Sequence, residues 1–348
     1  MRWFFFLFVL PLSLFSIDFP AWMVDQIRKD YAKLKPSDLQ QEKMEAFMRA
    51  WTGAPGFIYY QIRGNQFHFE SFLPEGHPRV EMMNQSMREL LSCYTLPDLD
   101  FIVCVEDSVD RANLSVPCFA FAKNDDLKEK VLLIPDFEAL QQGEQFLSQV
   151  EEGIAKYPWK KKKAKAFWRG SATGGVFNQD TFTNFPRSQL VFQSLLHPKL
   201  IDAKLVYPLV QSNDPQKVTA IFSNYFISKL TPIAHHIKYK YQILADGNTC
   251  AYSRAYWQFF SGCPIFKHSS PNIQWYYGAL IPGIHYIPCN ADFSDLPQKI
   301  EWAKKHDREM QQVGVNAREF AKKNLKKEAV YKYLYLTLSE YAKMQEMN

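Results

Sequence analysis

The sequence predicts an α/β protein made of two strand-and-helix units followed by a helical C-terminal tail. Three observations carry this. The chain has 348 residues, which at roughly 150 residues per domain is room for about two domains with their own cores. Short apolar, β-branched and aromatic runs alternate with amphipathic stretches twice along the chain, the pattern of helices layered on a sheet. From about 296 to 347 the strand signals stop, and a Lys-rich helical pattern with Leu334, Leu336, Leu338 and Tyr341 replaces them.

The elements follow in order. Residues 2–16 set Arg2 before an apolar stretch broken by Pro11. That stretch falls short of the roughly 20 residues a membrane span needs, so 1–19 reads as a signal peptide or membrane anchor. Residues 37–51 carry Leu39, Met44, Phe47 and Met48 at helical spacing behind a Ser-x-x-Gln start, which predicts one capped helix. At 57–72 aromatic alternation surrounds Gly64-Asn65, a two-residue hairpin signal. A helix near 80–91, strands at 101–105, 118–122 and 131–135, and a further helix complete the first unit. Lys160, Lys161, Lys162, Lys163 and Lys165 read as a solvated face or link before the second. There, strands at 164–168, 204–207, 241–245, 263–267 and 286–288 alternate with helices starting near Phe185, Ser253 and Pro271. The expected divisions are 1–19, 20–156, 157–310 and 311–348, the last packing back on the first unit.

Composition narrows the function classes. Aromatic residues make up 16% of the chain, which predicts a Phe-rich core before it predicts a ring-stacking surface. A net charge of +5 is too modest for a nucleic-acid stripe and leaves an anionic small ligand open. The six cysteines form no Cys-x-x-Cys pair, no His-Glu-x-x-His occurs, and His235 and His236 would diverge on a helix, so no metal is expected. A Gly-x-Ser-x-Gly elbow is absent. Gly170 and Gly175 have P-loop spacing, but Val176 and Phe177 stand where Lys and Ser or Thr are required.

Three segments could carry chemistry. In 167–175 (FWRGSATGG) a strand runs into glycines and the small hydroxyls of Ser171 and Thr173. Backbone N–H groups there could hold a diphosphate, with Arg169 adding charge; an ordinary turn is the alternative. Asp246-Gly247-Asn248 follows a second strand, and Arg254 on the next helix could grip phosphate bidentately or stand as a surface arginine. In 97–107 (PDLDFIVCVED) Asp98 and Asp100 lie at a strand entrance, whereas Glu106 and Asp107 lie at its exit, where a general base is useful. A metal-dependent transferase would use Asp98 and Asp100 instead.

Taken together, 97–107, VPCFAFAK (116–123), LIPDF (133–137), YPWKKKKAKAFWRGS (157–171), KYKYQILADGNTCAYSRAYW (238–257) and SPNIQWYYGALIPGIHYIPC (270–289) resemble one family. It is glycosyltransferase family 90, the capsule-associated, lipopolysaccharide-modifying and protein O-glucosyltransferase enzymes. The resemblance implies a GT-B fold of two Rossmann-like domains facing across a cleft, the first on the acceptor side and the second binding a UDP-sugar. It implies inverting transfer of a sugar, glucose or xylose, to a hydroxyl of a glycan, lipopolysaccharide or protein, with no metal and no cofactor beyond the donor. By position, Asp107 matches the catalytic aspartate, and Gly170, Ser171 and Arg254 match residues near the UDP diphosphate. Two departures stand out. Glu106 replaces an Arg often found before the catalytic Asp. The second phosphate-binding Arg of the eukaryotic enzymes is missing from the ATGGVFNQD stretch, with Arg187 the nearest later candidate. These departures point to the bacterial branch or to a degenerate member that binds glycan or a partner protein without catalysis.

Overall fold

The computed structural model describes residues 19–51, 56–107, 109, 114–124, 129–227 and 229–347; residues 2–16 lie outside these. The first lobe begins with helices α1 (Ala21–Tyr31) and α2 (Gln41–Ala50). Strands β1 (Phe57–Arg63) and β2 (Gln66–Ser71) form the expected hairpin, with Gly64 and Asn65 both at positive φ, as a two-residue turn of this hand requires. Then come α3 (Pro78–Cys93), β3 (Leu99–Cys104), β4 (Cys118–Ala120), β5 (Lys123–Asn124), β6 (Val131–Leu133) and α4 (Gly143–Lys156). The sheet order is β2-β1-β3-β4-β6, with β1 antiparallel to both neighbours and β3, β4 and β6 parallel.

The second lobe opens with β7 (Lys163–Ser171), α5 (Pro186–Leu196), β8 (Ile201–Val206), α6 (Pro215–Ile221) and β9 (Phe226–Ile227). It continues through α7 (Ile233–His236), β10 (Tyr239–Leu244), α8 (Tyr252–Phe260), β11 (Ile265–His268), β12 (Asn272–Ile273) and β13 (Ile287–Cys289). Its six strands, ordered β13-β11-β10-β7-β8-β9, are all parallel. Parallel strands are covered on both faces, which is why the central ones read as near-continuous apolar runs such as Ile243-Leu244-Ala245. The tail is α9 (Leu296–Lys305), α10 (Asp307–Asn324) and α11 (Lys327–Glu346). No helix among the described residues is long and apolar enough to cross a membrane.

This is the expected two-lobed α/β architecture of GT-B type, with four differences in detail. The first sheet is mixed, because a two-residue turn joins only antiparallel neighbours. The single helix expected over 37–51 is a short turn at Pro36–Leu39 followed by α2. Gln40 between them is extended, and the Asp38 carboxylate accepts from the Lys35 N–H to close the turn by itself. The helix expected near Pro271 is instead β12, an extended pair that docks on β5 of the first lobe. Finally, β7 runs three residues beyond its expected end, so Arg169, Gly170 and Ser171 belong to the strand and pair with β8.

Position 310 falls inside α10. Met310 and Val313 of that helix join the second lobe's core, while Ala317 and Ala321 join the core shared with the first lobe. The last helix packs on the first lobe through Val330, Leu334 and Tyr341, and Gln345 exchanges hydrogen bonds with both backbone groups of Asp100.

Candidate active site

The C-terminal ends of β3, β7 and β10 open on one cleft between the lobes, the usual ligand position for sheets of this kind. Its volume is about 430 Å³, and its walls include Asp107, Gly170, Ser171, Thr173, Arg187 and Arg254. With Arg169, seven of the sequence-predicted residues, from four separate stretches of chain, therefore meet in one space.

Asp107 lies three residues beyond the end of β3. Arg79, on the first turn of α3, donates to Asp107 Oδ1 at 2.7 Å, to Glu106 Oε2 at 3.0 Å and to the Val105 carbonyl at 2.9 Å. Asn248 of the second lobe donates to Asp107 Oδ2 at 3.1 Å, and the hydroxyls of Thr249 and Tyr252 donate to the Asp107 carbonyl at 2.7 Å. The carboxylate is thus held from both lobes while remaining 36% exposed to the cleft. Glu106 is no isolated second negative charge beside Asp107: Arg79, remote in sequence, supplies an arginine to both.

On the opposite wall Arg187, at the start of α5 and 9% exposed, donates to the carbonyls of Ser171 and Asp246 at 2.8 and 2.9 Å and to Thr173 Oγ1 at 2.6 Å. Arg254, in the first turn of α8, donates to the Arg169 carbonyl, and its Nη1 is enclosed with no partner among the described residues. Neither guanidinium has a carboxylate salt bridge among the described residues. Burial, opposed by Asp246, pushes Arg187 down to about 10; burial together with the charge of Arg187 pushes Arg254 down to about 9. Both remain cations at neutral pH. The arginine 16 residues beyond Ser171 thus lies against the Gly170-Ser171 end of β7.

Other predicted residues have different roles. The Arg169 guanidinium is neutralised by Asp202 at 2.6 Å and lies 4.3 Å from the centre of the Phe167 ring, while its carbonyl accepts from Arg254. The Asp246 carboxylate is buried beneath its loop, with His268 Nε2 at 3.7 Å, and contributes through its backbone. The glycine turn offers no open N–H at Gly174, which donates to Gln211 and Asn248 at 3.1 Å. That turn is a buttress for the loop carrying Gly247, where a Cβ would come within 2.5 Å of Thr173 Oγ1 and 2.8 Å of Arg187 Nη2. Trp168 is fully buried and does not line the cleft. Asp98 and Asp100 sit at the far end of β3, tied to the hairpin through the Gly64 N–H at 2.8 Å and Arg63 at 2.6 Å.

Sequence reasoning missed Arg79 and Glu138; Asn248 lay in a stretch singled out for chemistry but had no role of its own, and His236 was weighed only as a metal ligand. Burial and the neighbouring Asp136 push Glu138 up to about 9, so a protonated carboxyl faces the cleft at neutral pH. Burial, with Arg254 and Arg169 nearby, drives His236 well below its ordinary value and keeps it neutral. Glu138 follows a strand exit and was within reach of the rule that located Asp107; Arg79 had no local signal.

The chain is similar to known proteins along nearly its full length. It is 26% identical over 336 residues to Protein O-glucosyltransferase 2 of Danio rerio, covering 92% of this chain and 62% of that protein. It is 27% identical over 332 residues to human Protein O-glucosyltransferase 3, covering 92% and 61%. The chain thus spans about three-fifths of the length of these relatives. Among solved structures, Anabaena HepE in complex with UDP and glucose matches with a TM-score of 0.43 at 10% identity, over 64% of this chain and 62% of that one. The sequence pattern of glycosyl transferase family 90 matches residues 20–348, and the chain belongs to that family.

Proposed function

We propose that the chain is an inverting glycosyltransferase that moves a sugar from a UDP-sugar to a hydroxyl of a protein or glycan, with Asp107 as general base. The observation that carries this reading is one cleft holding a fixed carboxylate on one wall and, on the other, two arginines with no carboxylate salt bridge among the described residues. Glucose is the first sugar to test, because the named relatives are O-glucosyltransferases.

In this reading Asp107 accepts the proton of the acceptor hydroxyl as its oxygen bonds to the anomeric carbon. The bond from that carbon to the diphosphate breaks, and the electron pair leaves with UDP. Arg187 and Arg254 meet the charge that grows on the diphosphate, the electrostatic task a divalent cation performs elsewhere. Arg79 and Asn248 hold the base in register with the second lobe. With residues 1–19 read as a signal peptide or anchor, we place the reaction in a secretory lumen or at a membrane surface.

The test is UDP release by the full chain from UDP-glucose, UDP-xylose and other UDP-sugars, with and without EDTA, in wild type and Asp107→Asn. Turnover is expected to survive EDTA and to fall about 10²–10⁴-fold in the variant, a general base's usual share, while UDP affinity stays within about threefold. No turnover with any sugar, or full turnover in Asp107→Asn, would sink the proposal.

A further inference from the structure

The two arginines of the cleft pose a physical problem: like charges are held side by side with no carboxylate salt bridge to either among the described residues. The indole of Trp168 lies against both. The Arg187 guanidinium carbon is 5.7 Å from the ring centre and that of Arg254 is 5.5 Å, inside the ~6 Å reach of a cation–π contact. The ring is fully buried, and its Nε1–H has no hydrogen-bond partner among the described residues, unusual for an enclosed indole. What the ring does make is contact through its faces. Its seat depends on Gly170, two residues along the same face of β7, where a Cβ would fall 2.5 Å from the ring.

We propose that Trp168 is a positioning residue whose π-face holds Arg187 and Arg254 together as a preformed diphosphate clamp. The proposal rests on the UDP reading above and deepens it. An aromatic face attracts a guanidinium without occupying its N–H donors, so the donors left over stay directed at the ligand. A carboxylate in the same place would neutralise the pair and compete with the diphosphate, as Asp202 neutralises Arg169. A purely packing role for Trp168 predicts lost stability with no selective loss of anion affinity.

The experiment titrates inorganic pyrophosphate and UDP calorimetrically, and uridine by ligand-observed NMR, into the full chain and its Trp168→Leu, Trp168→Phe and Gly170→Ala variants. Trp168→Leu is expected to weaken pyrophosphate and UDP about tenfold and Trp168→Phe about threefold, following the ring's cation–π strength. Gly170→Ala, which displaces the ring without removing it, should fall between them, and uridine should change by less than about twofold. If Trp168→Leu does not fold, the other two variants decide the matter. Wild-type pyrophosphate affinity in the folded variants, or an equal loss for uridine, overturns the proposal. Wild type binding pyrophosphate but not UDP defeats the nucleotide reading while the variants still judge the clamp; wild type binding neither defeats both.

Discussion

On the first lobe's wall of the cleft, Arg79 sits between Glu106 and Asp107 at 3.0 and 2.7 Å, so each charge has its opposite in the same protein. On the second lobe's wall, Arg187 and Arg254 are adjacent and without carboxylate salt bridges among the described residues, held by carbonyls and an indole instead. The difference separates two uses of charge. A paired carboxylate is held in place by its partner, whereas an unpaired buried cation costs stability that a ligand's negative charge can return. Arg169 shows the control case within the second lobe: it has the same residue type, lies one strand position from Gly170, and is quenched by Asp202.

The comparison can be broken most forcefully at Arg254. Arg254→Ala is expected to lower UDP affinity by about 100-fold, the scale of one lost charge-assisted contact of ~3 kcal/mol. The apo variant should melt at or above the wild-type temperature, because an uncompensated buried charge is gone. A calorimetric titration beside a melting curve checks both, and a large drop in apo stability would show that the arginine is structural.

A smaller effect sharpens the acidic side. Glu138 holds its proton above the ordinary carboxyl value of 4.5 and up to about 9. Between those values the folded chain keeps a proton that the unfolded chain has released, so stability falls as pH rises through that window. Glu138→Gln cannot ionise, and its melting temperature should exceed that of wild type by more near pH 8.5 than near pH 5. A constant difference across that range would mean that Glu138 is ionised in the native cleft.

The smallest expected effect is at Arg169. Arg169→Met should change UDP affinity by less than about threefold, since Asp202 already balances the Arg169 charge and the carbonyl that Arg254 uses is kept in the variant. A loss comparable to that of Arg254→Ala would erase the distinction between quenched and unquenched arginines.

Much of this was legible in the chain. The hairpin at Gly64-Asn65, the succession of strands and the position of Asp107 at a strand exit all rest on local signals of turn chemistry, periodicity and apolar run length. Arg187 was visible as a candidate but not as a partner of Ser171, because the intervening residues read as loop. Arg79 was invisible, since nothing in His77-Pro78-Arg79 signals that α3 will bring it beside residues 28 positions later. The capped helix expected over 37–51 and the one near Pro271 failed for a related reason. Local cap signals were overruled, in the first case by a turn closed on itself and in the second by an extended pairing with β5 of the other lobe.

By itself, then, the sequence determined the element order, the two-unit α/β class and the residue types available for acid–base work and anion binding, because these depend on near neighbours in the chain. Only the tertiary structure decided which charges are paired. Arg169, Arg187 and Arg254 are chemically the same side chain; Asp202 reaches the first, while carbonyls and the face of Trp168 hold the other two. Electrostatic energy depends on separation and burial in space, and those are set by how strands 30 to 80 residues apart come to lie side by side.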